Sequence, residues 1–436
     1  MRTLLSHIAE TIRTSFWFVP SLLVLSAFIG AAVMVGLDDR LQPPDGGLLA
    51  KLIYSGNADG ARTILGTIAG AMMTIAGVVF SLTMITLTLA SSQFGPRLIR
   101  NFMKSRGNQI VLGTFIATFI YCLLVLLAVR ETDNSLFVPG FAVSAAVLIA
   151  VINAAMLVWF IHHLASVIQA DLIVAEVGQE LEESLEQLFP EHFGWQTLDS
   201  SFGIEEQALQ HVVARSSAYL RSIHAETLFA LTEGKDRILA IGPRPGEMLM
   251  PGAPLVTVYG SDKLSDVDIE KVHRAFLIGK QRTAEQDSEY AVRQLVEVAL
   301  RALSPGINDP FTAMTCIDHL GAALCRLGER EFPGRCLVDD AGKVRLVVEP
   351  LTFSGLFHAA FDQLRQIAPQ RAAVTIHLLD VLAQLSDCLN CPERQRLVAD
   401  TGRSLAEQAM QKLDFDYDRN EVQQRLDTLL ERARAA

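Results

Sequence analysis

The stretch TILGTIAGAMMTIAGVVFSLTMITLTLASSQFGP, residues 63–96, carries no formal charge and is long enough to cross a bilayer core of about 30 Å as one helix. Its side chains are not those of a plain lipid anchor. Written by sevens, Thr67, Thr74, Ser81 and Thr88 fall on one line and Gly70, Gly77, Met84 and Ser91 on the line beside it, so one helical face is small and hydroxylated. The remaining positions are mostly Ile, Leu, Val, Met, Ala and Phe. Thr hydroxyls bond back to their own helix, and Gly66 and Gly70 give a small-residue spacing, so close helix packing accounts for this face. The sharper alternative is a polar path lined by Thr67, Gly70, Thr74, Gly77, Ser81 and Thr88, repeated around a symmetry axis.

Working outward, three more uncharged blocks are long enough to span a bilayer. The first is the run from Phe16 to Leu37; the others lie within Gly107 to Val129 and Pro139 to Ile161. The expected spans are about 16–37, 64–90, 109–129 and 140–161. Four spans place both termini on one side. The loop after span two holds Arg97, Arg100, Lys104 and Arg106 with no acid, whereas the opposite connections are rich in Asp38, Asp39, Asp45, Asp59, Glu131 and Asp133. Translocation of Lys and Arg in short loops is disfavoured, so the basic loop and both termini are expected in the cytoplasm of a bacterial inner membrane. Against this, no Lys or Arg occurs between Glu131 and Ala214.

The whole chain agrees. Of 436 residues, 50% are hydrophobic and 19% charged, the mean hydropathy is +0.30 and the net charge is −11. That charge excludes a phosphate-neutralising surface, hence nucleic acid as a partner. Six scattered cysteines do not make a disulfide scaffold and point to a reducing compartment.

Gln93-Phe94-Gly95-Pro96 should break the second helix. Beyond it Arg97, Arg100, Lys104 and Arg106 read as an amphipathic segment at the membrane interface, a headgroup anchor or a gate. Span four runs on into an acidic helix. Asp171, Glu176, Glu180 and Glu183 there are candidates for a negative vestibule that concentrates cations, or simply a solvated face.

The expected fold class is therefore a four-span α-helical bundle (residues 1–165) with a cytoplasmic α+β domain. An acidic helix (166–192) leads to a small β-rich module (193–262), a helical region (263–333), a β-hairpin (334–350) and C-terminal helices (351–436). Within the β module, Gly246, Gly252 and Leu255 resemble the spacing of a biotinyl/lipoyl-like barrel-sandwich hybrid. No lysine stands at a matching hairpin tip, so no attached cofactor is expected. The turn Ser304-Pro305-Gly306-Ile307-Asn308-Asp309-Pro310 reads as a structural helix stop and restart, Asp309 capping and Pro310 opening the next helix.

Cys388 and Cys391 have the spacing of half a zinc site or a redox pair, and Cys316 with His319 could supply the other half; reduced, unliganded thiols are the simpler reading. Ser304, Asp309, Asp318 and His319 are hydrolase residue types without a nucleophile elbow or phosphate loop, so no enzyme is expected.

Five strings together resemble one bacterial family. They are Ser91 to Arg97, Arg106 to Gln109, Phe160 to His163, Arg282 to Asp287 and Ala302 to Ala313, the last the most specific. The family is the predicted membrane proteins with domain of unknown function 2254 (DUF2254). The resemblance implies a four-span inner-membrane protein with a cytoplasmic domain and supplies no catalytic residue. Two function classes follow: a homo-oligomeric ion channel or transport protein with span two lining the path, or a non-conducting scaffold or sensor whose soluble domain binds a partner.

Overall fold

The computed structural model describes residues 17–40, 53–95, 106–132, 135–167, 170–189, 197–198, 207–283, 286–330 and 332–435. The chain divides into two compact units, Met1–Gln169 and Ala170–Ala436.

The first unit contains four apolar helices long enough to cross a membrane: α1 (Phe18–Arg40), α2 (Ala58–Phe94), α3 (Arg106–Ala128) and α4 (Gly140–Val167). Helix α2 is longer than its apolar run, because Asn57 caps it by accepting from the Gly60 amide at 3.0 Å and Asp59 suits the positive end of the helix. At 37 residues it measures about 55 Å, well beyond a hydrocarbon core of about 30 Å. It ends at Phe94, where Gly95 turns to φ 107° and donates its amide to the Ser91 carbonyl at 3.2 Å.

Helix α3 is the central one and packs against α1, α2 and α4. Its Gly113 permits the approach of α1, since a Cβ there would lie 2.8 Å from Pro20 Cα. Asp38, at the far end of α1, accepts from the Phe141 and Ala142 amides at 2.8 and 3.0 Å and so caps α4 from another helix. A short antiparallel pair, β1 (Arg130–Thr132) and β2 (Ser135–Phe137), joins α3 to α4.

The second unit begins with α5 (Ala170–Leu188), whose Ile173, Val174, Val177, Leu181 and Leu185 are buried. The strands are β3 (Thr197–Leu198), β4 (Gln210–Val213), β5 (Ala218–Ile223), β6 (Arg237–Ile241), β7 (Met248–Leu249), β8 (Pro254–Gly260), β9 (Phe276–Gly279), β10 (Cys336–Val338) and β11 (Val344–Val347). Short helices α6 (Ala225–Ala230) and α7 (Asp266–Ala275) lie among them.

Among the described residues no closed barrel forms. The strands make a six-stranded sheet, β3-β10-β11-β6-β8-β4, and a three-stranded sheet, β7-β5-β9. Gly246, Gly252 and Gly260 take φ 93°, 85° and 105°, which Gly adopts at no steric cost, so the glycines of the barrel-sandwich expectation mark turns and strand ends. The 334–350 hairpin joins the same sheet through β11, which pairs in parallel with β6 (Leu346 opposite Leu239).

Six helices follow or flank the sheet: α8 (Ser288–Ala302), α9 (Pro310–Gly328), α10 (Phe353–Ile367), α11 (Ala372–Asp387), α12 (Pro392–Lys412) and α13 (Asp416–Ala435). Their apolar faces bury Leu295, Ile317, Leu320, Phe357 and Phe361 almost completely. Asp287 joins strands to helices: it caps α8 through the Tyr290 amide at 3.0 Å and holds Arg282 by two bonds of 2.8 and 2.9 Å.

Candidate functional site in the membrane unit

The buried face of α2 runs through Ala61, Leu65, Ala69, Met72, Ala76 and Val79. The opposite face is the small, hydroxylated one, and Thr67, Gly70, Thr74, Gly77, Ser81 and Thr88 are all exposed. A Cβ built on Gly66, Gly70 or Gly77 meets nothing within 4 Å, so among the described residues no side chain packs onto these glycines, and Gly77 also borders an apolar cavity shared with Trp17, Leu112 and Leu164. Each hydroxyl is satisfied within α2. Thr67 donates to Thr63 O at 2.7 Å; Thr74, Ser81 and Thr88 donate to Gly70, Gly77 and Met84 carbonyls, each at 2.9 Å. Helix α1 also has open glycines, Gly30 and Gly36, but no line of hydroxyls.

A buried polar node lies between α3 and α4. Asn153, fully buried, donates to Thr118 Oγ1 at 2.7 Å and to Met72 Sδ at 3.3 Å, while its Oδ1 has no partner. Interhelical amides of this kind hold membrane helices in register. Asn153 is the one asparagine in the fourth apolar run, a signal available in the sequence and passed over there.

At the start of α3 two of the motif strings meet. Trp159 and His163 stack at 5.0 Å and cover Gly107, where a Cβ would lie 3.0 Å from the indole. Asn108 Oδ1 and His163 Nε2 are both buried without partners. Asn108 borders a cavity of about 380 Å³ that is otherwise walled by Trp17, Met73, Gly77, Phe80, Leu112 and Leu164 among others. Its other polar residues, Thr83 and Thr86, donate their hydroxyls to Val79 and Leu82 carbonyls of their own helix, so the cavity suits hydrocarbon rather than ordered water, which needs two to four polar partners.

The other residues singled out by sequence are dispersed. Arg97, Arg100 and Lys104 lie outside the described residues, and Arg106 opens α3. The Asp171 side chain is likewise outside them. Glu176, Glu180 and Glu183 lie on α5; Glu183 accepts from Gln179, and the neighbouring Glu182 and Glu186 are bridged by Arg326 at 3.0 and 3.9 Å. Desolvation, then the charge of Glu180, pushes the Glu176 carboxyl above its usual range.

In the Ser304–Pro310 turn, Asp309 caps α9 through the Thr312 amide at 3.1 Å and also accepts from its hydroxyl at 2.5 Å. Asn308 acts through its backbone instead of a side-chain cap, taking φ 50°, a conformation asparagine tolerates better than most residues.

The two half-sites do not converge on a metal. Cys316 is fully buried, and His319 lies over Gly178, where any Cβ would collide with its ring. Cys388 is joined to Cys325 in a disulfide, and the described residues contain no group of three or more His, Cys, Asp or Glu able to hold an ion.

Four spanning helices with a buried interhelical amide, followed by an α+β unit, define an integral membrane protein. The chain belongs to the family described as "Predicted membrane protein (DUF2254)", whose model matches residues 13–384. It is similar to an uncharacterised protein of Mycobacterium tuberculosis H37Rv, 30% identical over 410 residues, which are 90% of this chain and 75% of the relative. An uncharacterised protein of Mycobacterium bovis matches with the same figures, and one of M. tuberculosis CDC 1551 is 32% identical over the same coverage. No solved structure matches.

Proposed function

We propose that the protein is a homo-oligomeric inner-membrane channel or transport protein whose copies meet through the hydroxylated face of α2. The observation that carries this reading is that Gly66, Gly70 and Gly77 are open and the intervening hydroxyls exposed along several turns of a membrane helix. A face that none of the described helices covers is available to a second copy, and small residues let backbones approach closely. Around an axis the same hydroxyls would line a path. With both termini cytoplasmic, as the basic loop after α2 implies, the acids of α5 would concentrate cations on that side. The self-satisfied hydroxyls favour a second reading, a dry contact in a non-conducting scaffold, because they need no water.

Ser81→Asp separates the two. In a hydrated path the carboxylate stays solvated and shifts selectivity towards cations, while in a dry contact it costs about 2.5–3.5 kcal/mol and disrupts assembly. Oligomer size and single-channel current of parent and variant are measured in lipid bilayers. Absence of current from an assembled parent, with loss of assembly in the variant, overturns the channel. Orientation is read on intact cells with an impermeant maleimide: Asp45→Cys and Asp133→Cys label and Arg100→Cys does not, and the reverse pattern inverts the topology.

A further inference from the structure

Three cysteines gather where α9 ends against the α11–α12 corner. Cys325, in the last turn of α9, is bonded to Cys388, the C-cap of α11, with Cα atoms 5.4 Å apart and a separation of 63 positions in sequence. Three residues on, Cys391 is the N-cap of α12 and is partly exposed, whereas the other free cysteines, Cys122, Cys316 and Cys336, are buried. The connecting Leu389 packs against Gly328 beyond Cys325, and Arg394 of α12 donates to the Gly328 carbonyl at 3.1 Å. Thus a disulfide and a free thiol lie in one short stretch of chain, both reachable from solvent.

We propose that Cys391, Cys388 and Cys325 form a thiol–disulfide exchange site in which the Cys391 thiolate attacks Cys388 and releases Cys325. In that step the Cys391 Sγ–Cys388 Sγ bond forms and the Cys388 Sγ–Cys325 Sγ bond breaks. The electron pair leaves on Cys325 as a thiolate, which takes up a proton equivalent to the one Cys391 gave up. One disulfide and one thiol are present before and after, so no external oxidant or reductant is consumed. An added dithiol then reduces the exposed Cys388–Cys391 bond. Structurally the exchange unlocks α9 from α11, replacing a long-range cross-link with a local one.

The start of α12 activates the nucleophile. Backbone amides of Arg394 and then Glu393 stabilise the thiolate and hold the Cys391 pKa below its ordinary value. Burial pushes Cys316 the other way, so it does not compete. Disulfides of this kind in reducing compartments are typically transient and regulatory. The exchange is a property of the three side chains on either side of a membrane.

The test uses the full-length protein in detergent, air-oxidised, then treated with dithiothreitol or iodoacetamide and mapped by peptide mass spectrometry. The parent is expected to show both the Cys325–Cys388 link and the Cys388–Cys391 link, with their ratio constant over time. Its Cys391 alkylation rate should level off at a lower pH than that of a model thiol, because a depressed pKa leaves the thiolate present at lower pH. Cys391→Ser keeps a good N-cap and therefore the fold. It should show only Cys325–Cys388 and be reduced at least tenfold more slowly. Equal reduction rates in parent and Cys391→Ser, or an oxidised parent with no Cys388–Cys391 link at any pH, would overturn the proposal.

Discussion

Replacing Gly70 by Leu gives effects of opposite sign in a lone protomer and in an oligomer built on α2. In the protomer nothing lies within 4 Å of the added Cβ, and a mid-helix glycine becomes a strong helix former, a gain of up to about 1 kcal/mol. In an oligomer the side chain enters a contact made by small residues, and overpacking of that sort costs about 1–3 kcal/mol. At 1.4 kcal/mol per tenfold, that is roughly a 5- to 150-fold weaker association. The neighbouring Ala69→Leu is the control. Ala69 is 5% exposed and lies in the cluster of Leu65, Ala117, Tyr121 and Ala146, away from the cavity, so its enlargement destabilises the protomer itself by a similar 1–3 kcal/mol. Light scattering after size exclusion, across protein concentrations, reads association, and thermal melting reads protomer stability. The expected pair is a Gly70→Leu protein that melts no lower than the parent but dissociates earlier, and an Ala69→Leu protein that melts lower. An oligomer unchanged by Gly70→Leu would refute the placement of α2 at the contact and leave its face to lipid.

Asp309→Ala should lower the melting temperature by the worth of a cap, about 0.5–2 kcal/mol, and Asp309→Asn or Asp309→Ser should restore most of it; a fully stable alanine variant would remove the capping role. Asp38→Ala strips two amides of α4 of a charged acceptor and should cost about 1.5–3 kcal/mol, with Asp38→Asn milder, as judged by melting of the detergent-solubilised chain. Asp287→Ala leaves Arg282 without its partner beside a carboxylate site only 3% exposed, and should be the most damaging of these at about 3–5 kcal/mol. The double variant with Arg282→Met should regain part of that loss.

What the sequence disclosed follows the range of the forces involved. The four spans were legible because bilayer insertion is decided by about twenty consecutive side chains. The extension of α2 back to Ala58 was not, since Asp59 and Arg62 end the apolar run while Asn57 still caps the helix, and hydropathy reports lipid rather than helix. The strands near Gly246 and Gly252 were visible through their turns. Their partners were not: Leu239 pairs with Leu346, over a hundred residues away, and nothing local distinguishes that open sheet from a barrel. Cys388 was seen beside Cys391, but its bond to Cys325 depends on how α9 packs on α11. Asp38 looked like a loop charge because its role exists only once α1 and α4 are adjacent.

The chemistry of the α2 face also limits what drives assembly. Thr67, Thr74, Ser81 and Thr88 have already spent their donors on carbonyls one turn back, so exposure to lipid leaves none of them unsatisfied. Association therefore cannot draw on the several kcal/mol by which hydrocarbon penalises an unpaired polar group. What remains is close packing at Gly66, Gly70 and Gly77, which is sensitive to side-chain size and nearly indifferent to polarity. Thr74→Val, of almost the same volume, should consequently leave the oligomer intact, while any change of size at the glycines should not. If conduction nevertheless falls in Thr74→Val with assembly unchanged, the hydroxyl is facing water, and the face then lines a path instead of filling a contact.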